Sequence, residues 1–296
     1  MAKRESAVQK TRGSSGASPA LKPGRAPRRR VVAVLGYVIA AVVLVPYAVM
    51  VLVALKPREE VFEPPLQVLP RDVDLSNFTT PWTDYALGTF FRNSLIIAIG
   101  AVILGLLVAI PAAYALARVQ FRGRQAVFLV LLITQMLSPT MLILGIYEQF
   151  RQFHLLDNLA AVVAVNSAFT VAFAIFVLAD VFESIPVEIE EAAAVDGASR
   201  LRTLVKVVLP LSGPGLATAG LFLFAQAWNE FILALTVLNR SELTPLSVGI
   251  YQFYGQFDKE WTYLFATAVM GAVPVIICFM YMERWLVKGL TSGGVK

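Results

Sequence analysis

Cysteine and histidine, the side chains that most often hold metals or serve as nucleophile and base, are almost missing: the 296-residue chain has Cys278 and His154 and no others. That excludes a structural zinc site, a Cys/His nucleophilic pair and any intrachain disulfide. Charge is scarce as well. Asp, Glu, Lys and Arg make up 15% of the residues and hydrophobic types 57%, whereas an ordinary soluble domain carries about a quarter charged residues. A water-soluble enzyme is therefore excluded. The sequence also has no Gly-Lys dipeptide, so it cannot form a phosphate-cradling P-loop and cannot hydrolyse ATP itself.

What charge there is lies unevenly. Nine of the 25 basic residues fall in the first 30 positions, among Ser, Ala, Gly and Pro and a single acid, Glu5. This reads as a disordered basic tail beside anionic membrane lipid rather than a nucleic-acid-binding surface. Six stretches then run without Asp, Glu, Lys or Arg: Val31 to Leu55, Asn93 to Ala117, Gln125 to Tyr147, Asn158 to Ala179, Val207 to Asn229 and Trp261 to Met282. Each exceeds the ~20 residues a helix needs to cross ~30 Å of hydrocarbon, and all are too long and uniformly apolar for barrel strands. The predicted fold is an all-α membrane protein with six spans, at about 31–55, 93–117, 125–147, 158–179, 207–235 and 261–286. The first span is too long for the apolar core of a cleaved signal peptide and is expected to be a retained anchor. With both termini in the cytoplasm, 18 basic residues lie inside and 7 outside, as the positive-inside rule requires.

Small residues such as Ala109, Ala113 and Ala117 let helices approach closely, as they do in most membrane bundles. Pro111, Pro139, Pro210, Pro214 and Pro274 fall within or at the ends of spans and are expected to kink them.

The segment between the fourth and fifth spans, residues 181–206, has a different character. Pro186 suits a first helical turn, Glu188, Glu190 and Glu191 complement the positive end of the helix dipole, and Gly197 after Asp196 is a stop signal. Ser199 can then cap a second helix carrying Arg200, Arg202 and Lys206. A helix lying on lipid headgroups would be rich in Lys, Arg and bulky apolar residues. Acidic residues and alanines instead suit a cleft in a soluble partner, where Ala permits close approach and Glu can meet Arg.

At this point the residues resemble a family. Glu191-Ala192-Ala193, Asp196-Gly197-Ala198 and Leu209-Pro210-Leu211 are similar to the EAA loop of permease subunits of binding-protein-dependent ABC importers. Asn93-Ser94, the run Ala113-Tyr114-Ala115-Leu116-Ala117-Arg118, Trp228-Asn229-Glu230-Phe231 and the ending Gly289 to Lys296 resemble the carbohydrate subgroup, of the maltose-type second permease. The resemblance implies a type I importer architecture in a bacterial inner membrane, moving a di- or oligosaccharide. It implies as partners a sister permease, two copies of an ATPase that uses ATP and Mg, and an extracytoplasmic sugar-binding protein. No cofactor is expected on this chain. The ATPase would be engaged by Glu188, Glu191, Ala192, Ala193, Asp196 and Gly197, and by a C-terminal tail of Ser292, Gly293, Gly294, Val295 and Lys296.

Trp228, Asn229 and Glu230 are candidates for the translocation pathway. Glu230 is the one carboxylate deep in an apolar run, and its position is open between a cavity and the outer headgroup level. The aromatics Tyr251, Phe253, Tyr254, Phe257, Trp261 and Tyr263 could stack on sugars, but a membrane-surface belt accounts for them more economically. His154, in a short outer link next to Asp157, reads as a solvated loop residue. The alternative function is an ion- or proton-coupled secondary transporter, which should carry charged or unwound sites within its spans. Here the six charge-free runs contain no Asp, Glu, Lys or Arg. A membrane anchor or sensor would need a soluble domain for which there is little room.

Overall fold

Long charge-free segments fold as helices because lipid offers no partner for a backbone N–H or C=O, so each must be satisfied within the segment. The computed structural model describes residues 26–61, 63–64, 67–254 and 260–292, and among them the architecture is helical throughout. The main helices are α1 (Ala26–Ala54), α2 (Leu87–Arg118), α3 (Arg124–Met136), α4 (Pro139–Gln152), α5 (Leu159–Ser184), α6 (Val187–Val195), α7 (Arg200–Leu211), α8 (Gly213–Trp228), α9 (Ile232–Val237) and α10 (Trp261–Ser292), joined by single helical turns and loops. Residues 1–48 form one unit, represented among the described residues by the first part of α1, and residues 49–296 form another.

Four helical stretches are long and apolar enough to cross a membrane unbroken: Val32–Ala54, Leu87–Arg118, Leu159–Ser184 and Trp261–Glu283. Two bent pairs bring the number to six if each pair is one span. Pro111 and Pro274 sit inside the continuous helices α2 and α10. At Pro139, Pro210 and Pro214 the chain does more than kink. The third charge-free run splits into α3 and α4 at an angle of 92°, with Pro139 in the first turn of α4. Proline has no N–H for the preceding turn to accept, so a helix restarts at it more easily than it continues through it.

In α7 the stretch Leu204–Val208 widens to a π-turn, with the Leu209 N–H reaching Leu204 O. The wider turn accommodates Pro210, which cannot complete an ordinary α-ladder. Buried Ser212 closes α7 by donating to Val208 O at 2.7 Å. The chain then turns 84° into α8, where Gly213 and Pro214 open the new helix.

The core of the second unit is α2 packed along α5, with α8 against both and α10 against α8. Its contact rows are built from small residues: Ala98, Ala101, Ala109 and Ala113 on α2, Ala172, Ala174 and Ala179 on α5, Ala217 and Ala219 on α8, all buried. Gly215 marks a close approach of α8 to α5, since a Cβ there would lie 2.7 Å from Val181 Cγ2. Lipid is as apolar as leucine, so such helices adhere through close van der Waals contact and interhelical hydrogen bonds rather than hydrophobic burial.

Polar clasps hold the opposite end from α6. Buried Asn93 donates to Glu242 O and Thr244 O at 2.9 and 3.0 Å, and Ser94 Oγ accepts from the Leu246 N–H at 2.8 Å. Asp157, in the left-handed region at φ 56°, accepts from the Asn239 and Arg240 N–H groups at 2.5 and 3.1 Å. It is therefore a loop staple, whereas His154 is an exposed loop residue.

Candidate functional site: an anchored helix and a cavity at the broken span

Helix α6 is nine residues long and follows Pro186, whose fixed φ prepares the first turn. It ends where Gly197 adopts φ 81°. The Gly197 N–H donates to Ala194 O and the Ala198 N–H to Ala193 O, both at 3.0 Å, which satisfies the last carbonyls. Only glycine takes that conformation without strain. The Ser199 side chain accepts from the Arg202 N–H at the start of α7.

Glu188, Glu191, Ala192, Asp196 and Gly197 are exposed and Ala193 is half-buried. Beside the acids lie Val187, 50% exposed, and Val195, 87% exposed. The apolar residues of this segment do not share one environment: Ile185 is buried, but Ile189 and Ala192 are open.

What faces inward is Glu190. Its Oε1 meets Arg118 Nε at 2.6 Å, and both side chains are largely buried. Tyr114 donates its hydroxyl to the other carboxylate oxygen at 2.7 Å, and Arg118 Nη2 donates to Ile185 O at 2.7 Å. Tyr114 and Arg118 stand four residues apart, on one face of the last turn of α2. The ring of Tyr114 packs edge-on to Phe182 of α5 at 6.2 Å. A short helix is thus fastened to α2, one of the central packed helices, by a charged, partnered cluster. Sequence reasoning assigned Glu190 only to the helix dipole. The available signal was the Tyr114/Arg118 spacing at the end of a charge-free run, with Glu190 on the short helix between the fourth and fifth runs.

The second feature is a cavity of about 520 Å³ at the corner between α3 and α4, closed by α5, α8 and the start of α9. Asn229 and Glu230 line it. Glu230 turns its carboxylate onto α9, accepting from the Leu233 N–H at 2.6 Å and the Ala234 N–H at 3.0 Å. This supplies the orphan donors of a helix start in the break between α8 and α9. Trp228 is buried in the core instead: its Nε1 donates to Gly271 O at 3.1 Å, and its ring stacks on Phe224 at 5.6 Å.

The aromatics Tyr251, Tyr254 and Trp261 form successive ring contacts at 6.0 and 5.7 Å, and Tyr251 lies 6.3 Å from Phe231 on the cavity wall. Phe257 lies outside the described residues. So do Gly293, Gly294, Val295 and Lys296 of the tail, while Ser292 is the last residue of α10.

Residues 101–292 match the family described as binding-protein-dependent transport system inner membrane component. The chain is similar to a sulfoquinovosyl glycerol transport system permease protein of Agrobacterium fabrum, with 34% identity over 82% of this chain and 85% of that one. It is also similar to a diacetylchitobiose uptake system permease protein of Streptomyces coelicolor, at 32% identity over 82% and 88% of the two chains. A solved bacterial ABC transporter involved in import of the acidic polysaccharide alginate has a chain that superposes with a TM-score of 0.76 at 27% identity, covering 90% of this chain and 99% of that one. The anchored helix and the broken spans are therefore parts of a transport protein, and the chain belongs to the family of inner membrane components of binding-protein-dependent transport systems.

Proposed function

We propose that this chain is the non-catalytic permease subunit of an ATP-driven importer of a di- or oligosaccharide. In this reading a binding protein outside delivers the sugar, a sister permease completes the pathway, and a cytoplasmic ATPase dimer supplies the energy with ATP and Mg. The observation that carries it is α6: exposed acids and small residues on its outer side, and a buried Glu190–Arg118–Tyr114 cluster on its inner side. Such a helix is fitted to receive a movement and pass it inward.

Glu188, Glu191, Ala192, Ala193, Asp196 and Gly197 enter the ATPase cleft. Closure of the ATPase dimer moves α6 as a rigid body, and Arg118 carries that movement into α2 while α7 carries it towards α8. The tail from Ser292 to Lys296 reaches the same ATPase. Asn229 and Glu230 shape the translocation pathway, and Trp228 supports them from the core. Both termini face the cytoplasm. The test is reconstitution with the partners found by co-purification. Sugar-loaded binding protein should stimulate ATP hydrolysis and sugar uptake together. Uptake that survives ATP depletion and collapses with the proton gradient would overturn the proposal.

A further inference from the structure

We propose that the cavity at the α3/α4 corner is a binding site for a neutral saccharide, so that this subunit itself contacts the sugar in passage. The inference rests on the importer reading above and goes further, because it assigns substrate contact and charge class to this chain. A volume of about 520 Å³ is in the range of small-molecule sites.

The wall combines the two surfaces a sugar ring presents. Asn166, Gln226 and Asn229 offer side-chain amides, which can donate to and accept from hydroxyls, while Phe169, Phe222 and Phe231 offer aromatic faces for the apolar C–H side of a pyranose. Asn166 donates to Val162 O at 3.1 Å and Asn229 to Ala225 O at 2.8 Å. Each bond fixes the amide while leaving it further capacity, since an amide has two donor hydrogens and an acceptor oxygen. A site meant only for an acyl chain would not carry these groups, because an unpaired amide against hydrocarbon is costly.

The charge class follows from the ionisable lining. Among the described residues, no Lys, Arg or His lines the cavity, and its single ionisable group is Glu230. Both Glu230 oxygens accept from backbone N–H groups of α9, which holds the carboxylate in place. A uronate, sulfonate or phosphate ester would meet that carboxylate with no cation to balance it, and juxtaposed like charges discriminate strongly against a ligand. A neutral sugar brings no charge against that carboxylate and can use the amides and rings. Phe231 is also joined through Tyr251 and Tyr254 to Trp261, so stacking surface continues from the cavity into the loop before α10.

The experiment uses the complete transporter with Cys278→Ser in this chain. Asn229→Cys and, in parallel, Gln226→Cys are labelled with a small maleimide in the presence of a neutral disaccharide (maltose, cellobiose or N,N′-diacetylchitobiose) or of digalacturonate. At least one neutral probe should slow labelling severalfold, and digalacturonate should not. Phe231→Ala should weaken that protection about two- to tenfold. Gln226→Arg, tested in the Asn229→Cys chain, should admit digalacturonate. If no neutral sugar protects either position while the complex still imports sugar, the inference fails and the importer reading stands. Equal protection by digalacturonate in the parent chain overturns the charge assignment. A complex that imports no sugar at all overturns both.

Discussion

Breaking the link between Arg118 and Glu190 tests whether α6 is held as the structure implies. Arg118→Ala leaves the Glu190 carboxylate with the Tyr114 hydroxyl as its remaining bond in the cluster and leaves Ile185 O without its guanidinium donor. Removing one member of a buried ion pair costs about 3–5 kcal/mol. The Arg118 and Glu190 side chains are 13% and 12% exposed and Tyr114 stays bonded, so the low end applies, about 3 kcal/mol. That is roughly a hundredfold shift in the equilibrium between α6 seated and α6 released. Tyr114→Phe removes one hydrogen bond to a charged acceptor, about 1.5–3 kcal/mol.

The loss falls on a nine-residue helix outside the packed core, so membrane insertion and assembly should persist while the sugar moved per ATP hydrolysed falls. The assay is that ratio in proteoliposomes, with thermal unfolding of the detergent-solubilised complex as the control for folding. The exchanged double variant, Arg118→Glu with Glu190→Arg, should recover part of the coupling that each single change loses. Wild-type coupling in Arg118→Ala, or strict additivity of the Arg118→Ala and Glu190→Gln losses, would refute the argument, because contacting residues are expected to show an interaction energy of about 0.5–3 kcal/mol.

Two further outcomes are expected. At Gly197 an added Cβ meets nothing within 4 Å, so Gly197→Ala carries only the strain of φ 81°, about 1–2 kcal/mol; ATPase stimulation should fall, and Gly197→Asn, which tolerates that φ better, should retain more of it than Gly197→Ala. In a chain lacking Cys278, Ser76→Cys should react with a membrane-impermeant thiol reagent from outside and Ser199→Cys only after permeabilisation; outside labelling of Ser199→Cys would refute the orientation.

The parts of this protein that sequence reading reached are those governed by local rules. Charge-free runs become helices because hydrocarbon permits little else. Gly197 and Ser199 behave as a stop and a cap because those roles depend on a few neighbouring backbone groups. The missing parts depend on distant residues. Proline positions mark where a helix breaks, but the 92° and 84° turns at the breaks also reflect what each new segment packs against. Trp228 and Glu230 are neighbours with different destinations, one in the core and one at the cavity, because the helix ends between them. Glu190 finds its cation 72 positions away, and an acid in the first turn of a helix looks the same on paper whether it faces water or the bundle.

The π-turn at Leu204–Val208 has a consequence for how α6 is aimed. A wide turn holds about one residue more than an α-turn, and one residue on a helix corresponds to about 100° of rotation. Everything before it, from the Ser199 cap back to α6, is therefore set out of phase by that angle with the helix that follows. Deleting one residue between Leu204 and Val208 would take up that offset and swing the acidic side of α6 about a quarter turn away from its present direction, while leaving Pro210 in an ordinary turn whose hydrogen bond it cannot complete.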